Sequence, residues 1–332
     1  MSIRIIKSGI SDAFFDEGRF GYQHIGINPT GAMDNIAVKI VNALTLNHSN
    51  EAALEMHFPA ATISFKKDAL IALSGADFTA TINHSIVPVN KPILVKQNAI
   101  LQFKKPLRGA RVYLGVQGGF KLSAWLESYS TNTMVNAGGY FGRRLKTGDE
   151  IHFKGDHSYP DLSTTNAVQI FPFQANINEL YQQGSIRIVA GRHFKLLTTE
   201  AQQQLLQQAF TITGESNRMG YKLQSQPLAL QQEQNIISSA VTKGTIQLLP
   251  NGQLIVLMAD HQTTGGYPII VHVITADVCT LAQYNQKDSI HFKLVSNKEA
   301  EEAFLSQHRH LLQLQNACNL RLNDFINTYN RP

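Results

Sequence analysis

Apolar and polar positions alternate in short runs along most of this chain. β-Branched or alternating stretches recur at 3–6, 61–65, 70–73, 78–82, 93–95, 100–103 and 111–116. Gly, Pro, Asn and Asp separate them, as at Ser74-Gly75 and Val116-Gln117-Gly118-Gly119. Many short strands at this spacing predict a mainly β protein, a barrel or sandwich, rather than alternating β-α units.

Three helices carry start signals. Asp34 is placed to cap a helix with Ala37, Val38, Val41 and Leu44 on one face. Thr199 and Gln202 have capping-box spacing ahead of Leu205, Leu206, Ala209 and Phe210. Ser296 and Glu299 repeat that spacing and open a long C-terminal helix carrying Ala303, Phe304, Leu311 and Leu312. The Gln-rich stretches 202–208 and 231–234 read as solvated helix face and loop.

An internal echo divides the chain. Leu70-Ile71-Ala72-Leu73-Ser74-Gly75-Ala76-Asp77 resembles Leu254-Ile255-Val256-Leu257-Met258-Ala259-Asp260. Later, Gly148-Asp149-Glu150-Ile151-His152-Phe153 resembles Lys287-Asp288-Ser289-Ile290-His291-Phe292. The spacing differs between the two copies, which predicts two similar barrels, one with a large insertion, rather than a repeat array. The expected domains are 1–158 and 166–332, the second including the C-terminal helix. The polar stretch 155–167, with Pro160, is the expected linker.

Composition narrows the class. With 332 residues, two domains fit, and 43% hydrophobic against 16% charged residues describes a globular chain. The formal charge of +5 is scattered, with pairs only at Lys66-Lys67, Lys104-Lys105 and Arg143-Arg144. A nucleic-acid binder would gather such charge into one stripe with aromatics, so no nucleic-acid partner is expected. Two cysteines, Cys279 and Cys318, suit free thiols of a reducing compartment and make neither a disulfide framework nor a Cys-rich metal site. The N-terminal segment has no apolar run followed by a cleavage site, and apolar runs fall far below the roughly 20 residues that span a bilayer. A cytoplasmic protein without a membrane span is expected.

The most informative segment is Asp260-His261-Gln262-Thr263-Thr264-Gly265-Gly266-Tyr267-Pro268, a polar loop between two apolar strands. Gln262 both donates and accepts, the threonines add hydroxyls, and paired glycines let backbone amides approach a ligand. Such a loop suits a carboxylate, amide or phosphate oxygen; a wide hairpin turning at Gly265-Gly266 fits the same pattern. Asp34 reads as a plain N-cap or as a carboxylate kept ionised by a helix N-terminus. Arg218, in Asn217-Arg218-Met219-Gly220-Tyr221, suits a substrate or partner carboxylate, or an ordinary surface site. Gly138-Gly139-Tyr140-Phe141-Gly142-Arg143-Arg144 suits an anion or a simple chain reversal. The chain has no P-loop, no Gly-x-Ser-x-Gly elbow and no His-Glu-x-x-His, so nothing in it reads as a self-sufficient catalytic apparatus.

Taken in order, these segments resemble the biotin-dependent carboxyltransferase/allophanate hydrolase subunit 2 family. The resemblance runs from Gly18-Arg19-Phe20-Gly21 and Gly31-Ala32-Met33-Asp34 through Leu54-Glu55, Leu73-Ser74-Gly75-Ala76-Asp77 and Tyr113-Leu114-Gly115-Val116-Gln117-Gly118-Gly119. It continues through Gly138-Gly139, Gly142-Arg143, Asn217-Arg218-Met219-Gly220-Tyr221 and Gly244-Thr245-Ile246-Gln247 to the 260–268 loop. It implies two tandem cyclophilin-like β-barrel domains. It also implies partners: a KipI-like B subunit and an A subunit of LamB/YcsF type. The implied reaction is ATP-dependent opening of 5-oxo-L-proline to L-glutamate, ATP being used by the complex. The implied alternatives are a KipA-like protein regulating a kinase inhibitor, or a carboxyltransferase component of a urea carboxylase-like system.

On this resemblance, catalytic roles are expected for Asp260, Gln262 and Thr263. Substrate contacts are expected from Asp34, Asp77, Arg143, Arg218, Met219, His261, Thr264, Gly265, Gly266 and Tyr267, with no metal. Two positions depart from the family pattern: His261 and Tyr129 stand where arginine is common. No Met-Lys-Met for biotin attachment is present. These departures disfavour carboxybiotin chemistry.

Overall fold

The computed structural model describes residues 2–157, 159, 168–182, 184–232 and 236–329. It has two compact units, one of Met1–Gly18, Asp34–Asn178 and Arg309–Pro332, the other of Arg19–Met33 and Glu179–His308. This division departs from an expected boundary between 158 and 166. The strand Val168–Ile170 completes a sheet of the first unit, pairing with Pro92–Val95, and Ala175 N donates to Asn90 O at 2.9 Å. Of the expected linker, residues 158 and 160–167 lie outside the described residues, as do 233–234 of the second Gln-rich stretch.

The first unit holds two six-stranded sheets around one core. One sheet runs Glu150–His152, Ser2–Lys7, Thr62–Phe65, Ile100–Phe103, Ala80–Ile82, Ser85–Ile86. The other runs Val168–Ile170, Pro92–Val95, Ala69–Asp77, Arg108–Val116, Ala53–Met56, Ala13–Phe15. Ile3, Ile5, Ile63, Phe65 and Leu101 from the first meet Leu54, Ile71, Leu73, Ile93 and Leu114 from the second. The expected strand 78–82 begins only at Ala80, because Thr79 has a left-handed backbone and its N–H is taken by the Asp77 carboxylate at 2.8 Å.

The helix Asn35–Leu44 lies on the Ala69–Asp77 and Arg108–Val116 strands of the same unit. Its buried face is apolar apart from Asn42, whose Nδ2 donates to Ser49 O and Glu51 O, which explains why those strands read as continuous hydrophobic runs: they are covered on both sides. Gly115 permits the close approach, since a Cβ there would sit 2.9 Å from Val41 Cβ.

The second unit is built on an eight-stranded sheet in the order Ser289–Ile290, Phe210–Ile212, Gly220–Gln224, Leu254–Leu257, Thr245–Leu248, Ile269–Val273, Ile186–Ala190, Phe292–Leu294, beside a separate two-stranded sheet. The two edge strands of the larger sheet are separated in sequence only by His291, so it must curl round until its edges nearly meet. The result is a nearly closed barrel filled by Ile188, Leu205, Phe210, Leu223, Ile246, Val256 and Val271. Each copy of the internal echo supplies its own unit with an interior strand and, further along, an edge strand.

Helix signals hold with corrections. Asp34 caps as expected, accepting from Ala37 N at 3.0 Å. The next helix, Thr199–Gln207, is capped one residue earlier, by Thr198 accepting from Ala201 N; Gln202 turns back to Leu197 O instead. Ser296 and Glu299 form the reciprocal capping box, Ser296 N donating to Glu299 Oε2 at 2.7 Å and Glu299 N to Ser296 Oγ at 3.2 Å. The helix they open, Asn297–Tyr329, buries Gln307, Cys318 and Leu322 and leaves Phe304 and Leu312 exposed. A further helix, Thr275–Leu281, has no sequence signal: its β-branched residues continue the preceding strand pattern. Both cysteines are free and buried.

Candidate functional site

The 260–268 segment is built on the barrel of the second unit. The strand Leu254–Leu257 delivers it, and backbone bonds from Met258 N to Met219 O and from Asp260 N to Arg218 O tie it to the neighbouring turn. That turn is shaped by Asn217, whose Oδ1 accepts from Met219 N at 2.8 Å. The Arg218 guanidinium therefore arrives beside the Asp260 carboxylate, donating from Nε to Oδ2 at 2.8 Å and from Nη2 to Oδ1 at 3.2 Å. The same Nη2 donates to Gly31 O at 2.6 Å.

Three further hydrogen bonds hold the segment Arg19–Met33 in place. Asn28 Nδ2 donates to Asp260 O at 3.2 Å, and Lys243 Nζ donates to Ala32 O at 2.9 Å and Met33 O at 2.8 Å. Three successive carbonyls, of residues 31–33, are thus gripped by two cations. Lys243 and Asn28 carry no motif in the sequence; only the fold brings them here.

His261 is buried, and its Nδ1 lies 2.6 Å from Gln262 O. A carbonyl oxygen only accepts, so Nδ1 carries the proton and Nε2 the lone pair. Burial depresses its pKa; the Gln262 carbonyl and Asp260 oppose this, and Lys243 reinforces it. His261 is a neutral side chain where the family pattern has a permanent charge.

The loop is not a wide hairpin. Thr264–Gly265 is a short strand paired with Ser239–Ala240, and Val241 N donates to Thr263 O. Gly265 lets Gln247 pack close: a Cβ there would lie 2.5 Å from Gln247 Nε2, which donates to Tyr267 O. This zipper leaves Gln262, Thr264, Gly266 and Tyr267 exposed beside half-buried Asp260 and Thr263, with Met219 exposed on the adjoining turn.

The remaining expected site residues, Asp34, Asp77 and Arg143, lie in the first unit, each with a structural partner. Asp77 caps Thr79, and Arg143 pairs bidentately with Asp149 at 2.8 Å on both arms. Asp34 is fully buried, and its backbone N–H donates to Tyr113 Oη at 2.9 Å. Tyr113 Oη in turn donates to Glu55 Oε2 at 2.7 Å, with Arg111 Nε 3.8 Å and His57 Nε2 3.9 Å from Glu55 Oε1. Burial first, then the Glu55 and Asp34 carboxylates, push the Tyr113 hydroxyl far above its ordinary value. This cluster was missed by sequence reasoning, although Glu55 stands alone as a charge in the apolar run 52–56.

At Tyr129, the other departure from the family pattern, a cation is present after all. Lys154 Nζ lies 4.2 Å above the Tyr129 ring while paired with Glu51 Oε1 at 2.6 Å. Tyr129 N and the Ser128 and Ser130 hydroxyls all donate to Asp16, which fixes that turn. Among the described residues no group of three or more His, Cys, Asp or Glu side chains is placed for a metal ion, and no helix is long and apolar enough to cross a membrane.

The fold and these motifs define a carboxyltransferase-type domain. The carboxyltransferase domain, subdomains A and B, matches residues 25–294, and the chain belongs to that family. It is 34% identical over 312 residues to the 5-oxoprolinase C subunit of Escherichia coli (strain K12), covering 94% of this chain and 97% of that one. It is equally 34% identical, over 307 residues, to the corresponding 5-oxoprolinase protein of Haemophilus influenzae, covering 91% of this chain and 96% of that one. Among solved structures, the K. lactis urea amidolyase superposes with a TM-score of 0.85 at 26% identity over 94% of this chain; the chain spans 20% of that protein's length.

Proposed function

We propose that this chain is the C-type subunit of an ATP-dependent 5-oxoprolinase that opens 5-oxo-L-proline to L-glutamate. Its companions are a KipI-like B subunit and a LamB/YcsF-type A subunit. The carrying observation is the full-length similarity to two bacterial 5-oxoprolinase C subunits, which covers almost the whole of both chains.

The site chemistry is compatible with that reaction. Amide resonance protects the lactam, and transfer of the ATP γ-phosphoryl group to the lactam oxygen makes the ring carbon electrophilic. Water then adds to that carbon and the ring C–N bond breaks, releasing the amine and leaving γ-glutamyl phosphate; a second water cleaves this acyl phosphate to glutamate and phosphate. Asp260, oriented by the Arg218 fork, is a fixed acceptor for a lactam N–H or for the proton of attacking water. Gln262 and Thr263 supply neutral donors, as does the Thr264 hydroxyl, and none carries a charge that would favour carboxybiotin over a neutral amide.

The test is reconstitution. The three purified subunits with ATP and 5-oxo-L-proline should release glutamate, and omission of this chain should abolish release. A folded three-subunit mixture that releases none overturns the reading. The close superposition on the K. lactis urea amidolyase motivates a second reading, carboxyl transfer to a urea-like nitrogen. A carboxybiotin donor that loses its carboxyl group to such a substrate in the presence of this chain would establish that reading instead.

A further inference from the structure

The glycine-rich stretch before Arg143 is not consumed by the 260–268 site, and its geometry is unusual. Asn136, Gly138, Gly139, Phe141 and Gly142 all have left-handed backbones, at φ of 52°, 70°, 59°, 54° and 64°. For Asn and Gly this costs little. For Phe141 it is an unfavourable conformation that surrounding contacts must enforce. Those contacts are visible. Gly142 packs so tightly on Asn136 that a Cβ would lie 1.9 Å from its carbonyl carbon, and Gly142 N donates to Gly138 O. Arg143, locked to Asp149, lies 5.4 Å from the Tyr140 ring centroid and 6.0 Å from that of Phe141.

This rigid pedestal presents apolar side chains to solvent. Phe141 is 69% exposed. Met134 and Val135 form the tip of the neighbouring turn, both backbone amides bonded to Asn132 Oδ1, and are 74% and 56% exposed. The packing of Gly142 on Asn136 places this tip beside Phe141. A strained, exposed aromatic flanked by exposed aliphatics has the composition of an interface anchor, since aromatic rings held in advance lose little entropy on docking. Arg144 and Lys146, exposed on the same stretch, add positive charge at its border.

We infer that Met134, Val135 and Phe141 form a docking knob for another subunit of the same complex, one offering an apolar pocket edged by carboxylates. This rests on the subunit reading above. The occupant follows from two observations: relatives of this chain are either one subunit of an enzyme or part of a longer chain, of which this fold makes up 20% in the K. lactis urea amidolyase, and the cationic border calls for acidic groups opposite.

The test is Phe141→Asn in the full chain, mixed with the purified B and A subunits. Asn tolerates the left-handed backbone, so thermal stability should be unchanged or raised. The dissociation constant of the complex, measured by titration, should rise about tenfold or more. Glutamate release should recover when the partner subunits are in excess. A second variant, Val135→Lys, should weaken the complex in the same way. Unchanged affinity in both variants overturns the proposal, even where the wild-type mixture is active. An isolated chain whose self-association is abolished by Phe141→Asn also overturns it, assigning the knob to a second copy. Wild-type subunits that bind but release no glutamate overturn the 5-oxoprolinase reading and leave the docking result to stand by itself.

Discussion

Arg218 grips Asp260 through two donors while a third bond from the same guanidinium holds Gly31 O, so one side chain fixes both the acidic residue and the segment lying over it. The arginine that the sequence offers as an exposed carboxylate binder is a mostly buried brace. Arg218→Lys keeps the charge but loses the planar fork and cannot make the three bonds together. In the reconstituted complex, kcat should fall roughly 10- to 100-fold, the scale of losing a positioned group, with a smaller change in KM. Steady-state glutamate release checks this; a lysine variant with wild-type kcat would remove Arg218 from the site.

Tyr113 plays the corresponding part in the first unit. Its hydroxyl accepts from Asp34 N and donates to Glu55, and all three residues are buried. Tyr113→Phe leaves one donor and one carboxylate oxygen without that partner, at a cost of roughly 2–3 kcal/mol. Urea denaturation of the isolated chain should show the loss as a lower midpoint with an unchanged slope.

How far the sequence reveals this molecule depends on the range of the interaction involved. The strand runs and the Asp34 and Ser296-Glu299 caps were legible because each depends on residues within four positions. The barrel was legible as a class, from the echo and the family resemblance, but the pairing that nearly closes it, Ile186–Ala190 with Phe292–Leu294, was not, since its partners lie far apart in sequence. The site divides in the same way. Asp260 and Arg218 stand in recognisable motifs, whereas Lys243 and Asn28 look like any surface residues until the fold brings them to carbonyls 32–33 and 260. The helix Thr275–Leu281 was hidden for another reason: local β propensity there is overridden by tertiary packing.

The two units should respond oppositely to pH. In the first, burial pushes the Asp12 carboxyl up to about 7, despite the opposing backbone donors Gly9, Ala61 and His57. A folded pKa raised above the unfolded one stabilises fully below the unfolded value near 3.8, and that stability is lost as pH rises through about 7. At most roughly 4 kcal/mol is at stake. In the second unit, burial depresses His193, His261 and His272 below their ordinary value near 6.5. Their contribution is present above 6.5 and is lost as pH falls below it. Asp12→Asn should therefore raise the melting temperature at pH 8 and leave it nearly unchanged at pH 4. A variant with the wild-type pH profile would show that Asp12 does not titrate in this range.

An ion pair with a fully buried carboxylate gives a direct test of the barrel's stability. Asp277, fully buried on the helix Thr275–Leu281, accepts from Arg187 N at 2.8 Å, from Nε at 3.0 Å and from Nη2 at 2.6 Å. The Arg187 side chain is a quarter exposed, so its charge can reach water when the partner is removed, but its backbone N–H cannot. Asp277→Ala should therefore cost roughly 3 kcal/mol, the lower end for breaking a buried pair. Arg187→Met should cost at least as much, because it leaves the fully buried Asp277 carboxylate with its backbone donor alone. In a double-mutant cycle the two losses should fall short of additivity by roughly 1–2 kcal/mol. Strict additivity would mean that the carboxylate serves the backbone amide alone and that the guanidinium contributes nothing to holding the helix against the strand Ile186–Ala190.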